Sequence, residues 1–156
     1  MLPEVSIKES KVPISKFVSA HALSEGVTRY ILAFMFDIKV GQSPKYIRER
    51  LEACGLRPIN NIVDATNYIM LETGHPAHAF DYDKLDGKNI TVRFARPAEA
   101  FETLDGAHFK LGPRQLVISD SAGPLAIAGI KGGRRTEIDA GSKHIVLELG
   151  IFDREL

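Results

Sequence analysis

The sequence predicts an α+β fold: two N-terminal helices packed on a mostly antiparallel, β-sandwich-like sheet system. Two observations predict it. Residues 44–54 and 62–72 carry apolar positions at helical spacing, and a glycine follows each run. From Gly87 onward the chain breaks into short β-rich segments separated by Asp-Gly, Gly-Pro and Gly-Gly pairs. A length of 156 residues suits one domain or a large piece of one. It can bury a core without disulfides or metal.

In chain order, residues 1–28 mix short apolar pairs with Ser, Lys and Glu and show no strong period. Tyr30–Val40 is β-branched and aromatic, lacks Gly and Pro, and reads as a buried strand ended by Gly41. Ser43 is placed to cap a helix with Pro44 at its first position, and Ile47, Leu51 and Cys54 form its apolar stripe up to Gly55. After a turn at LRPIN, a second helix is predicted from about Ile62 to Glu72, closed by Gly74. Its apolar positions are Ile62, Ala65, Ile69 and Met70, which sets Thr66 and Asn67 beside the stripe. Strands are predicted at 89–95, 101–104, 108–111, 116–119, 125–130 and 144–149, with a tight hairpin turn at Asp105-Gly106. The expected division is a lead-in over 1–27 and a domain over 28–156. IFDREL opens a new element and stops, so the domain is expected to be cut short at its C-terminal end.

Twenty basic and twenty acidic residues give a formal net charge of zero. That excludes a strongly cationic module binding nucleic acid by phosphate neutralisation alone, but leaves room for a small local site. One cysteine, Cys54, excludes an internal disulfide framework and a multi-Cys metal site, and fits a reducing compartment. No apolar run approaches the ~20 residues needed to cross a bilayer. The N-terminus lacks the basic-then-apolar pattern of a signal peptide. The expected location is cytoplasmic, with no membrane partner.

Three groups of residues could carry chemistry. The densest is Asp64-Ala-Thr-Asn-Tyr68 followed by the loop Gly74-His-Pro-Ala-His-Ala-Phe-Asp81. Thr66 and Asn67 offer a hydroxyl and an amide from a helix, and His78 a group that titrates near neutral pH. The alternative is that Thr66 and Asn67 satisfy local backbone groups and that His78 is a buried, hydrogen-bonded loop histidine. His75, His78 and Asp81 also form a metal-like string, but Pro76 breaks regular helix through it and no further Cys is at hand, so no metal is expected. The second group is Ala128-Gly-Ile-Lys-Gly-Gly133, either strand punctuation or a turn whose backbone N–H groups meet a ligand. It lacks the Walker spacing. Third, Glu148 stands in Ile145-Val-Leu-Glu-Leu149 on the same strand face as Val146. If that face is inward, its carboxylate needs a hydrogen-bond donor from protein or ligand. Lys131, Arg134 and Arg135 make a small basic spot that reads as a solvated turn.

These strings together resemble the B3/B4 region of the bacterial phenylalanyl-tRNA synthetase beta subunits. The matching segments are residues 40–85, TLDG at 103–106, LAIAGIKGG at 125–133 and IVLELGIFD at 145–153, in the family's order and spacing. The most specific is RPINN-x-VD-x-TNY followed by G-x-P-x-HAFD. The resemblance covers about residue 28 to the end; residues 1–27 match loosely.

The resemblance implies a domain that hydrolyses tyrosine wrongly attached to tRNA(Phe), within an ATP-dependent ligase that charges that tRNA with phenylalanine. It implies His78, Thr66 and Asn67 at the catalytic cleft near the terminal adenosine and the ester. Glu148 would accept the phenolic hydroxyl, Gly129 would bring backbone near the ring, and Pro76 and Gly150 would shape the wall. Gly150 stands where the family usually shows Ala, and Lys131 where Met is common. No cofactor is implied for this domain; the full enzyme would use ATP and Mg. The implied partners are the alpha subunit, the rest of the beta subunit and the tRNA 3′ end. The alternative is a non-catalytic tRNA-binding or scaffold module of the same subunit.

Overall fold

Residues 7–24 and 26–153 are described by the structure, a computed structural model. A 3-10 turn at Ile14–Lys16 leads into β1 (Ser19–Ala22) and β2 (Val27–Met35), followed by α1 (Lys45–Ala53) and α2 (Asn61–Thr73). Then come β3 (His78–Asp81), β4 (Asn89–Phe94), β5 (Glu99–Glu102), β6 (His108–Leu111), β7 (Leu116–Ser119), β8 (Pro124–Ile127) and β9 (Lys131–Gly132). A second 3-10 turn at Arg134–Thr136 precedes β10 (Ile145–Phe152). The class is α+β, as the sequence predicts.

The strands form a five-stranded sheet ordered β1-β4-β7-β8-β9, a three-stranded sheet ordered β2-β10-β3, and the hairpin β5-β6. β1 and β4 run parallel; the other strand pairs among the described residues are antiparallel. In the small sheet Val146 lies opposite Phe34 and Phe80, Glu148 opposite Leu32 and His78, and Gly150 opposite Tyr30. Cross-strand partners share a face. That face packs on the large sheet, with Phe80 and Val146 against Ile90, Val92, Ile118 and Leu125. The reverse face, through Ala79, Ile145 and Leu147, meets Ile62 and Val63 of α2. Helices, small sheet and large sheet are therefore stacked. The hairpin β5-β6 covers the outer face of the large sheet, where Phe101 and Leu111 pack on Val117.

Several elements differ from expectation, each for a physical reason. Strand β2 spans 27–35 rather than 30–40, because its ladder with β10 ends where Met35 pairs with Ile145 and Asp37 then turns with φ 54°. It is half-buried, with Ile31 and Met35 exposed. Ser43 does not cap α1, whose N-cap is Pro44; its hydroxyl bonds the buried Asp64 instead. Cys54 is exposed, so Leu51 carries the buried stripe of α1. On α2, Ala65 and Ile69 face solvent. The helix instead turns Ile62, Val63 and the buried Asp64 inward. His78 is not on a loop: Pro76 ends the connection and residues 78–81 pair with β10 as an edge strand. The Asp105-Gly106 turn does join β5 to β6, through the five residues 103–107 that follow the last ladder pair, Glu102 and His108.

Candidate active site

The register of β10 on β3 brings together two side chains seventy positions apart, His78 and Glu148. They open into a cavity of about 190 Å³ lined by Met70, Pro76, His78, Gly129, Glu148 and Gly150, among others. The large sheet supplies its floor through Ile118 and Ala126, and Phe152 closes one side. Each layer of the fold thus lends a wall.

Glu148 is 5% exposed, and its Oε1 is buried without a hydrogen-bond partner. Burial pushes its carboxyl up to about 7. His78 meets Phe80 edge-on, with ring centroids 4.6 Å apart. Burial lowers its imidazole to about 4, so it is neutral at pH 7. The β9 backbone approaches this ring closely: a Cβ on Gly132 would lie 2.5 Å from His78 Cε1. Gly132 belongs to the glycine-rich string 128–133 picked out in the sequence, but its approach to His78 was not visible there.

Two further glycines shape the cavity. Gly129 turns the β8-β9 connection with φ 68°, where other residues are strained. At Gly150, a Cβ would stand 2.3 Å from Phe152 Cζ and 3.0 Å from Glu148 Oε1. A side chain there would displace the Phe152 ring. The glycine at position 150 therefore makes room for Phe152.

Thr66 and Asn67 are not among the residues lining this cavity. The Thr66 hydroxyl donates to the Val63 carbonyl at 2.8 Å, a local backbone bond. One turn later on the same helix, Met70 does reach the cavity. The string His75, His78, Asp81 does not converge. His78 and Asp81 sit three positions apart on β3 and so point to opposite faces. Asp81 accepts from the Ser142 hydroxyl at 2.6 Å and the Asp83 N–H at 2.9 Å. No group of three potential metal-binding side chains occurs among the described residues.

The basic spot is internally paired. Lys131 Nζ lies 3.0 Å from Asp105 Oδ2, Arg134 Nη1 lies 3.2 Å from Glu102 Oε1, and Arg135 forks onto Asp120. The site is therefore a small, largely apolar cavity into which an unpartnered carboxyl group and a neutral imidazole are set. No Cys, Ser or Thr is among the residues that line it.

The family model of the B3/4 domain matches residues 26–156. This chain belongs to the B3/4 domain family. Among relatives of this B3/4 domain, the "Phenylalanine--tRNA ligase beta subunit" of Protochlamydia amoebophila is 50% identical over 129 residues, 83% of this chain and 16% of that protein. The protein of the same name from Streptococcus pyogenes serotype M3 is 42% identical over 151 residues, 97% of this chain and 19% of its own length. The chain thus spans less than a fifth of the curated relatives it matches. A crystal structure of an N-terminal fragment of the phenylalanyl-tRNA synthetase beta subunit from Pyrococcus horikoshii shares the fold. Its TM-score is 0.65 at 15% identity, over 99% of this chain and 47% of that one. No described helix is long and apolar enough to cross a membrane.

Proposed function

We propose that this domain removes tyrosine wrongly esterified to tRNA(Phe), as the editing region of a cytoplasmic phenylalanine-tRNA ligase beta subunit. The observation that carries the reading is the buried, unpartnered Glu148 carboxyl facing a small cavity beside a neutral His78. The names of the relatives support the beta-subunit part of the assignment.

The physics of selectivity explains why such a site is useful. An apolar pocket rejects an added hydroxyl by only ~10², whereas a site built to hydrogen-bond that hydroxyl discriminates by ~10⁴ or more. An editing pocket therefore holds tyrosine well and phenylalanine badly. Glu148 would accept the phenolic O–H. The volume of about 190 Å³ is below the roughly 300–1,000 Å³ of pockets for drug-sized ligands and suits a single side chain. Gly129, Gly150 and Pro76 would shape the walls.

In the reaction, water attacks the ester carbonyl, the bond to the ribose oxygen breaks, and that oxygen leaves with a proton as the tRNA 3′ end. The free amino acid carries the new oxygen. His78, unprotonated at neutral pH, can orient the water or take its proton. Thr66 and Asn67, on α2 outside the cavity, are assigned to the terminal adenosine and the ester. The hydrolysis uses no cofactor, while the ligase as a whole would use ATP and Mg. The partners would be the alpha subunit, the remainder of the beta subunit and the tRNA 3′ end.

The test is deacylation of Tyr-tRNA(Phe) and Phe-tRNA(Phe) by the complete ligase carrying this domain. Glu148→Ala is expected to lower the preference for tyrosine by roughly ten- to 150-fold, the worth of a hydrogen bond to a charged acceptor. Glu148→Gln should fall between, since its amide oxygen still accepts. Equal loss on both substrates would give Glu148 a general role. Unchanged preference would remove it from the pocket.

A further inference from the structure

Among the described residues, four buried side-chain polar atoms have no hydrogen-bond partner, and two of them share one face of the small sheet: Glu148 Oε1 and Tyr30 Oη. Tyr30 on β2 lies directly opposite Gly150 on β10, so Glu148 is its diagonal neighbour on that face. Diagonal positions are within reach of long and aromatic side chains. Gly150 places no side chain between them. The Tyr30 ring lies behind the cavity wall, against Phe152 at 6.4 Å between centroids, and is not itself among the lining residues. Burial, and then the Glu148 charge, push the Tyr30 phenol well above its ordinary pKa of 10, so it stays a hydrogen-bond donor.

We infer that Tyr30 is a second specificity residue of this cavity, donating a hydrogen bond to the same ligand hydroxyl that Glu148 accepts from. The inference rests on the editing reading above. A hydroxyl is one donor and two acceptors. A phenol entering the cavity can donate to Glu148 Oε1 and accept from Tyr30 Oη, satisfying both orphan atoms at once. A phenyl ring satisfies neither and leaves both buried and unpaired, which is costly. Two readers on adjacent strands also fix the position of the hydroxyl along the ring axis. One carboxylate alone does not.

The experiment measures deacylation of both aminoacyl-tRNAs by the complete ligase carrying Tyr30→Phe, Glu148→Gln, or both. Tyr30→Phe is expected to lower the tyrosine-to-phenylalanine rate ratio by about three- to tenfold, as for a neutral hydrogen bond. In the double variant the two losses should fall short of their product, because both side chains read one group. Tyr30→Phe deletes an unpaired buried hydroxyl, so its unfolding midpoint should hold or rise. A sharply lower midpoint would mean that the hydroxyl serves the fold and would overturn the inference. An unchanged ratio in an enzyme that otherwise prefers tyrosine would overturn the Tyr30 role alone, as would losses that multiply independently. A parent enzyme with no preference for tyrosine would overturn the editing reading, and this inference with it.

Discussion

Burial moves the two central side chains of the cavity in opposite directions, and the directions have consequences for stability. His78 falls from 6.5 to about 4. Between those values the unfolded chain holds a proton that the fold refuses, so stability drops as pH falls through this window. Glu148 rises from 4.5 to about 7. Between those values the fold keeps a proton that the unfolded chain has released, so stability drops as pH rises. From pH 4.5 to 6.5 the two effects oppose each other. Glu148→Gln should therefore unmask a stability that climbs with pH across that range, and His78→Gln one that declines. Each slope approaches about 1.4 kcal/mol per pH unit, the value for one proton. Urea unfolding at half-unit steps of pH reads the slopes. Profiles that stay as flat as the parent's in both variants would contradict the burial of either group. The sequence set Glu148 on the same strand face as Val146 but left open whether that face was inward, which the burial of both residues answers. Its meeting with His78 was not legible, since strand register joins residues that no local spacing relates. Tyr30 was hidden for a similar reason: in a run of β-branched and aromatic residues it looks like one more core side chain.

At the scale of elements, α2 decides whether the site is framed at all. Its start is heavily tied. Asn60 caps it by accepting from the Ile62 and Val63 N–H groups at 3.1 and 2.9 Å. Asn61 accepts from the Gly41 N–H at 2.9 Å and donates to the Lys39 carbonyl at 3.0 Å, holding the loop that precedes α1. Asp64, 1% exposed, accepts from the Ile59 N–H at 2.7 Å and from the Ser43 hydroxyl. Asn60→Ala is expected to cost about 0.5–2 kcal/mol, the value of a lost cap. Asp64→Ala should cost about 1–3 kcal/mol for each donor it leaves buried and unpaired. The midpoint in urea should shift with an unchanged slope, and Asn60→Ser should recover most of the first loss. A steeper or shallower slope would mean that the variant reorganises the fold instead. The helices themselves were legible from apolar spacing and from Gly74, which takes φ 74° at the C-cap. The cap assignments were not: Ser43 before Pro44 has suitable local chemistry, but Asp64, twenty-one residues on, competes for its hydroxyl. Strand β3 escaped notice because four residues after a proline carry no measurable period.

For the molecule as a whole, β10 is the shared element. Val146 points into the core between the two sheets, while its neighbour Ile145 points into the core beneath α2. The cavity draws on the same arrangement: Met70 comes from the helix layer, His78 and Glu148 from the small sheet, and Ile118 and Gly132 from the large one. Because one strand belongs to both cores, damage on either side should be felt on the other. Ile145→Ala is expected to cost about 2–5 kcal/mol and Phe80→Ala about 3–5 kcal/mol. Guanidinium unfolding followed by far-UV circular dichroism reports the backbone of both layers. The four tyrosines, in a chain without tryptophan, report side-chain packing by fluorescence. If β10 couples the layers, the two signals should remain superimposed in both variants, as they do in a two-state transition. Independent layers would behave differently. Ile145→Ala would then melt the helical signal early while the packing of Tyr30 and Tyr82 against the inter-sheet core persisted to the parent's midpoint. Such a split would mean that the helix wall of the cavity can detach on its own. The site would then be assembled by docking of α2, no longer by the fold as a unit.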